Sequence, residues 1–313
     1  MRRLAAHLLL LGAGFVVAGC GLGAGPAPSA VKLLVTGDFG SRPVGSQGPP
    51  VVRGAETVMS LLERNHTVTT RFGGGFVQSV EGLAGGSEGG RPVDWFYYVN
   101  GVQAGQGAAA TNVHPGDHIW WDRHDWSQTE SIPAVVGSFP EPFLNGLEGK
   151  RLPVRVECSA AEAACHTVTE RLRAAGVPAA VSAIGAGGGK TLRVLVGPWR
   201  AVSLEPGVAA LERGPRTSGV YARLAGDGAT ITALDADGLP VRTLASGTGL
   251  IAATRQREEA PVWVVTGTDA AGVRAAAGAF DEGSLAGRFA VAVRAGVVIA
   301  LPARTQAATG ADR

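Results

Sequence analysis

The chain has 313 residues, with 28 Lys and Arg against 26 Asp and Glu, a formal charge of +2. That balance excludes a nucleic-acid binder, which needs a basic surface, and the length fits two domains with apolar content ample for real cores. Lysine is confined to Lys32, Lys150 and Lys190, while Arg, Ala and Gly dominate, a composition expected of a high-GC, actinobacterial genome.

Arg2 and Arg3 precede an apolar run, Leu4 to Val17, interrupted only by His7, and Val17-Ala18-Gly19-Cys20 follows. A basic start, a short apolar run and small residues at the cut are the shape of a signal peptide. The run falls short of the about 20 apolar residues that span a bilayer. A thiol directly after Val-Ala-Gly matches the bacterial lipobox, in which the cysteine is diacylated, palmitate among its acyl groups, and becomes the new N-terminus. Residues 1–19 are therefore expected to be removed, with Cys20 lipidated; the alternative is a plain secretory signal with a chance cysteine. No later segment is apolar enough to span, so the expected location is the extracytoplasmic face of the cell membrane, anchored through lipid. Removal of residues 1–19 takes two arginines and leaves 26 basic against 26 acidic residues.

Residues 20–30 carry the lipidated cysteine and a stretch, GLGAGPAPSA, without charge or periodicity, expected as a flexible tether. Residues 31–36 read as a strand and 37–50 as a loop. Residues 54–64 read as a helix, with Val58, Leu61 and Leu62 on one face. Strands are expected at 66–72, 76–81, 93–99 and 117–126, with Asn100-Gly101 supplying a tight turn after the aromatic VDWFYYV. The first unit, 31–126, is thus one helix against a small mixed sheet.

Residues 127–149 hold Ser, Pro and Gly with little periodicity and read as a linker or lid. A second α/β unit is expected over 150–303, followed by a disordered tail, 304–313. Its strands are read at 152–157, 177–184, 191–197, 219–224, 229–234, 239–244, 261–266 and within 289–301, its helices at 160–175 and 268–279. The fold class is α+β. Besides Cys20 only Cys158 and Cys165 remain, an isolated close pair that in an oxidising compartment reads as a disulfide. Two buried thiols or a metal pair are the alternatives, the latter without CxxC or histidine spacing to support it.

Four features, GAETVMSLLERN, GGGFVQSVEGL, WFYYVNG and PGDHIWW, give residues 31 to about 126 a resemblance to the transcobalamin-like C-terminal domain of bacterial surface proteins. The resemblance implies a β-grasp-like fold. In vertebrate transcobalamin and intrinsic factor the related domain clamps one face of cobalamin and a separate helical domain holds the other. No counterpart of the helical domain is read here, so the resemblance implies a small extracellular ligand, a corrinoid among the possibilities, or an envelope protein partner. The second unit resembles no family.

On a strand, side chains alternate between faces. His118, Trp120, Asp122, His124 and Trp126 then share one face, Ile119, Trp121, Arg123 and Asp125 the other; Trp95, Tyr97 and Val99 oppose Phe96 and Tyr98. One face packs on the helix. The other is expected to present flat rings with polar tips, which suit a planar ligand or a protein partner. The candidate ligand-binding residues are Trp95, Tyr97, Tyr98, Trp120, Trp121, His124 and Trp126, with a plain aromatic core as the alternative. Metal binding by His118, Asp122 and His124 would need a bend, because strand residues rise about 3.3 Å each and zinc ligands sit at about 2 Å; no metal or resident cofactor is expected.

Catalytic motifs fail. Gly189-Lys190-Thr191 resembles a P-loop ending, but Ile184 stands where that motif needs glycine. Ser46 and Ser138 lack the full G-x-S-x-G frame. The expected function is non-enzymatic binding of a small ligand or partner, possible ties to uptake included. A cell-envelope hydrolase with a site between the units, or an assembly or adhesion module, is the alternative.

Overall fold

The computed structural model describes residues 27–159, 163–257 and 259–304. The expected signal peptide, Cys20, the first part of the tether and the tail beyond residue 304 lie outside them. The fold is α+β, as the periodicities predict. Among the described residues no helix is long and apolar enough to cross a membrane.

The first unit begins with β1 (Lys32–Gly37) and a two-residue β2 (Arg42–Pro43). Helix α1 (Val58–Asn65) starts later than the apolar spacing predicts, because Thr57 caps it: its side chain accepts from the Ser60 N–H, and Ser60 returns a bond to the Thr57 backbone. That capping box satisfies donors the first helical turn cannot. Strands β3 (Val68–Arg71), β4 (Phe76–Val80) and β5 (Leu83–Ala84) form a small antiparallel sheet of their own. The main sheet adds β6 (Gly86–Glu88), β7 (Arg91–Val99), β8 (Val102–Gln103) and β9 (His118–Asp125), in the order β2-β1-β9-β7-β6 with β8 beside β7. The first strand runs parallel to the last, Leu34 opposite Trp120, and β7 pairs antiparallel with β9, Tyr98 opposite Trp120. Central parallel pairing of the first and last strands, with a helix on one face, is the β-grasp arrangement the resemblance implies.

The second unit is built on seven strands. After β10 (Val154–Cys158), α2 (Ala163–Ala174), β11 (Ala180–Ala183) and β12 (Leu192–Val196), three short helices follow, α3 (Trp199–Val202), α4 (Pro206–Ala209) and α5 (Pro215–Ser218). The meander β13 (Ala222–Leu224), β14 (Ile231–Leu234) and β15 (Pro240–Leu244) leads to β16 (Thr248–Thr254), β17 (Val262–Gly267), α6 (Ala270–Gly278), α7 (Glu282–Leu285), β18 (Ala290–Arg294) and β19 (Val297–Leu301). The sheet order is β11-β10-β12-β17-β16-β18-β19. Both faces are covered, so its central strands read as continuous apolar runs. Val156, Val194, Trp263 and Ile251 point toward α2, α6 and the 134–143 segment, whereas Leu195, Val264, Leu250 and Ala292 point toward the short helices, the meander and the first unit. Strand β16 and the three short helices are absent from the sequence reading: β16 is buried along its whole length and so carries no alternation to detect.

Residues 127–149, expected as a linker or lid, hold a strap that is largely buried over 132–146 and exposed at both ends. Ile132 and Val135 enter the core on one side of the seven-stranded sheet, and Ala134, Val136, Phe139 and Phe143 enter the core on the other. The backbone stitches the two units: the Val135 N–H donates to Gly101 O at 2.8 Å and the Val136 N–H to Phe289 O at 3.1 Å. Cys158, ending β10, and Cys165, in α2, stand at disulfide distance with Cα atoms 6.1 Å apart, within the span a disulfide requires.

Candidate functional site

The alternation of β7 and β9 assigns their side chains as the period of two requires, but both faces are covered. Trp95, Tyr97, Ile119 and Trp121 pack with α1 in the core of the first unit. Tyr97 stacks on Trp121 with ring centroids 4.9 Å apart, and its hydroxyl donates to Gln106 O at 2.6 Å. The opposite face, expected to present rings to a ligand, packs on the second unit. Phe289 stands edge-on to Trp120 at 5.0 Å and to Tyr98 at 5.6 Å. Trp120 and Tyr98 are wholly buried. Of the seven proposed ligand-binding residues, Trp95, Tyr97, Tyr98, Trp120, Trp121 and His124 are buried, and Trp126 is half-buried, its indole N–H donating to Asp94 Oδ2 at 3.0 Å. The face therefore serves as a joint between the units, with no open wall; the sequence shows that something must cover it, and the cover is the second unit.

A polar network lies inside this joint. Asp122, fully buried, accepts from the Thr36 hydroxyl at 2.6 Å and from the Phe39 and Gly40 N–H groups at 3.1 and 2.8 Å. His124 Nδ1 lies 2.8 Å from its other side, and Trp120 donates its indole N–H to Thr36 Oγ1 at 2.7 Å. The imidazole of His124 is sandwiched between Phe39 and Phe96, centroids 4.6 and 4.5 Å away. A buried carboxylate is tolerable only when its lone pairs are filled in this way. Asp122 thereby holds Phe39, and the Arg123 carbonyl accepts from the Asp38 N–H at 2.8 Å; both residues sit at left-handed φ, 57° for Asp38 and 58° for Phe39, a conformation that costs about 1–2 kcal/mol per residue. Among the described residues, Thr36 is the one hydroxyl bonded to the Asp122–His124 pair, and it bonds the carboxylate. In a Ser-His-Asp arrangement the nucleophile stands on the far imidazole nitrogen; the bonds of this pair run to the turn after β1 and to Thr36.

Burial pushes the Tyr98 phenol well up, and the charge of Asp122 adds to that. Burial holds the His118 imidazole down at about 4, from 6.5; a hydrogen bond to the Ser138 backbone opposes the shift, Lys32 adds to it and Glu282 opposes it. In the second unit a second buried network joins neighbouring strands. Arg193 meets Glu157 in a bidentate pair at 2.8 and 3.0 Å and reaches Glu205 at 2.7 Å. Burial alone would raise the Glu157 carboxyl, but bonds from Arg193 and the Gly185 N–H hold it below the usual range. Among the described residues no three His, Cys, Asp or Glu converge as a metal site.

The open space lies beside the joint. A cleft of about 1270 Å³ runs between the units. The 38–41 turn and the ends of β7 and β9 form one wall, while the meander, residues 286–288 and β19 form the other. Charges on the first wall are matched: Arg91 pairs with Asp125 at 3.2 Å and with Asp237, and Arg123 with Glu88 at 2.7 Å. On the second wall Asp237 meets Arg91 and Asp235 accepts from the Asp237 and Leu239 N–H groups, while the arginine side chains have no carboxylate partner among the described residues. The Arg288 and Arg304 side chains bond only backbone carbonyls, and the exposed Arg242 side chain makes no hydrogen bond or ion pair among the described residues. Val241, Val298 and Ile299 lie between them, half-buried. None of these residues carries a motif; only the fold brings residues 38, 242, 288 and 304 together.

The family described as a domain of unknown function (DUF4430) matches residues 55–125, and it is the transcobalamin-like domain family. A transcobalamin-like domain thus occupies most of the first unit; the match leaves out β1, which the pairing with β9 shows to be part of the same sheet. No curated protein and no solved structure matches the chain.

Proposed function

We propose that this chain is a binding lipoprotein, without catalytic activity, held at the extracytoplasmic face of the membrane through Cys20. Its ligand, a small amphipathic anion or the anionic part of an envelope component, is held in the cleft between the units. The observation that carries the reading is on one wall of the cleft: five carboxylates and five arginines line the whole space, yet Arg242, Arg288 and Arg304 have no carboxylate partner among the described residues and stand beside apolar side chains. Pockets that bind small molecules pair apolar lining with a few polar groups in this way. The lipobox Val17-Ala18-Gly19-Cys20 supports the anchor, and the close cysteine pair suits an oxidising compartment. A corrinoid enters only through the resemblance of the first unit. It carries carboxamides and one phosphate on an apolar ring without a net negative charge, and it stands in the panel for the resemblance alone, beside the anionic candidates.

The test titrates the mature protein with corrinoids, haem and anionic wall fragments, followed by calorimetry. Saturable one-to-one binding is expected for one of them. Arg242→Glu together with Arg288→Glu is expected to weaken it about tenfold or more, a loss of about 1.4 kcal/mol. Binding that ignores both reversals would overturn the cleft as the site. Cell fractionation of Cys20→Ala tests the anchor separately: the variant should leave the membrane fraction or accumulate unprocessed.

A further inference from the structure

The β3–β4 hairpin ends in Arg71-Phe72-Gly73-Gly74-Gly75-Phe76. Phe72 is 86% exposed and Phe76 39%, their rings meeting edge-on with centroids 6.4 Å apart. The next residue, Val77, turns into the core, so the strand alternation places Phe76 outward. Phe72 sits at φ 52°, a turn position where glycine or asparagine is at ease and phenylalanine is strained by about 1–2 kcal/mol. Burying such a side chain yields about 1.5–3 kcal/mol, so this tip carries strain and exposure that the fold does not recover. A Cβ placed at Gly73 or Gly74 would meet nothing within 4 Å, and the tip is therefore a free protrusion, not a groove or flat patch.

We propose that the Phe72–Phe76 tip dips into the interfacial layer of the lipid bilayer and orients the first unit on it. This rests on the reading of Cys20 as a lipid anchor. Three observations favour a bilayer over a protein partner. The protrusion is narrow and apolar, suited to a soft medium. The Arg71 side chain beside it makes no hydrogen bond or ion pair among the described residues, and the stretch 68–78 holds no acid, a charge that suits anionic headgroups. The chain between Cys20 and Val31 spans eleven residues, which reach at most about 38 Å when extended, so an anchored first unit stays at the bilayer surface and a weak apolar contact gains from high effective concentration.

The test couples the chain beginning at Cys20, through the thiol left outside the disulfide, to a maleimide-bearing lipid in vesicles of phosphatidylcholine and phosphatidylglycerol. Phe72→Trp is the probe, and Leu239→Trp, at an exposed position of the second unit, is the control. The parent's six tryptophans supply the background; five are at most 6% exposed and Trp126 is half-buried. The proposal expects the emission of Phe72→Trp to shift to the blue and to be quenched by acyl-chain-brominated lipid, with Leu239→Trp unaffected. A water-like, unquenched Phe72→Trp on vesicles that hold the coupled protein overturns it, as does equal quenching of both probes. Coupling is chemical, so a chain that proves unlipidated in cells refutes the anchor without deciding the tip, which the quenching decides by itself.

Discussion

His124 Nδ1 lies 2.8 Å from Asp122 Oδ1 in a fully buried pocket between the two units. The same carboxylate fastens Thr36, Phe39 and Gly40, so one side chain ties together β1, the turn after it, β9 and the aromatic joint. Asp122→Ala is expected to cost about 3 kcal/mol or more, because it removes the acceptor for four donors and strands them away from water. Urea unfolding measures it. A loss within about 0.5 kcal/mol, the range of a neutral surface change, would show that Asp122 does not organise the joint.

Trp120 and Tyr97 distinguish a core from a ligand wall. Trp120→Ala should lower stability by about 3–5 kcal/mol, as truncation of a buried large ring does, and Tyr97→Ala should lower it comparably, since its hydroxyl and its stacking on Trp121 are both lost. Both losses should appear in the absence of any added molecule. A variant that unfolds like the parent but binds ligand more weakly would restore the aromatic face as a binding surface.

His118 makes the joint sensitive to acid. Its imidazole titrates at about 4 in the folded chain against 6.5 when unfolded. Between these values the unfolded chain binds the extra proton. Stability should therefore fall as pH drops through 6.5 and level off below about 4, by at most about 3.4 kcal/mol. His118→Gln should remove that part of the slope. Unfolding midpoints of parent and variant across this range check it, and identical profiles would assign the acid sensitivity elsewhere.

The Cys158–Cys165 pair closes a short loop between β10 and α2, seven residues apart. Replacing both by serine is expected to lower stability by about 2.4 kcal/mol, the chain-entropy value for so short a loop. Mass spectrometry of unreduced peptides should recover the two cysteines joined; two freely alkylatable thiols in the exported protein would contradict the pairing.

The sequence carries much of this molecule and withholds one part for a physical reason. The two-residue alternation in VDWFYYV and DHIWWDRHDW assigns every ring to its face, and Asn100 and Gly101 mark a turn that the structure uses, whereas the cap at Thr57, which starts α1 later than the apolar spacing, goes unread. What alternation cannot say is which surface covers the second face. That depends on Phe289, Tyr221 and the strap, which lie far along the chain and carry no motif. The strap itself is irregular and rich in Ser, Pro and Gly, so it reads as linker, although Val135, Phe139 and Phe143 are core residues. The arginines of the cleft are equally silent: Arg242, Arg288 and Arg304 become a group only when the meander, the turn before β18 and the end of β19 are folded against the first unit.

The most direct test of the central claim, a ligand held in the cleft and not on the aromatic face, is native mass spectrometry of the mature protein purified from its own membranes. One small anionic molecule per chain is expected, retained by the parent and by Trp126→Ala, and lost when Arg242 and Arg288 are both changed to glutamate in a protein that remains folded. A chain that carries no molecule under any condition, or one whose bound molecule survives both reversals and departs with Trp126, would contradict it.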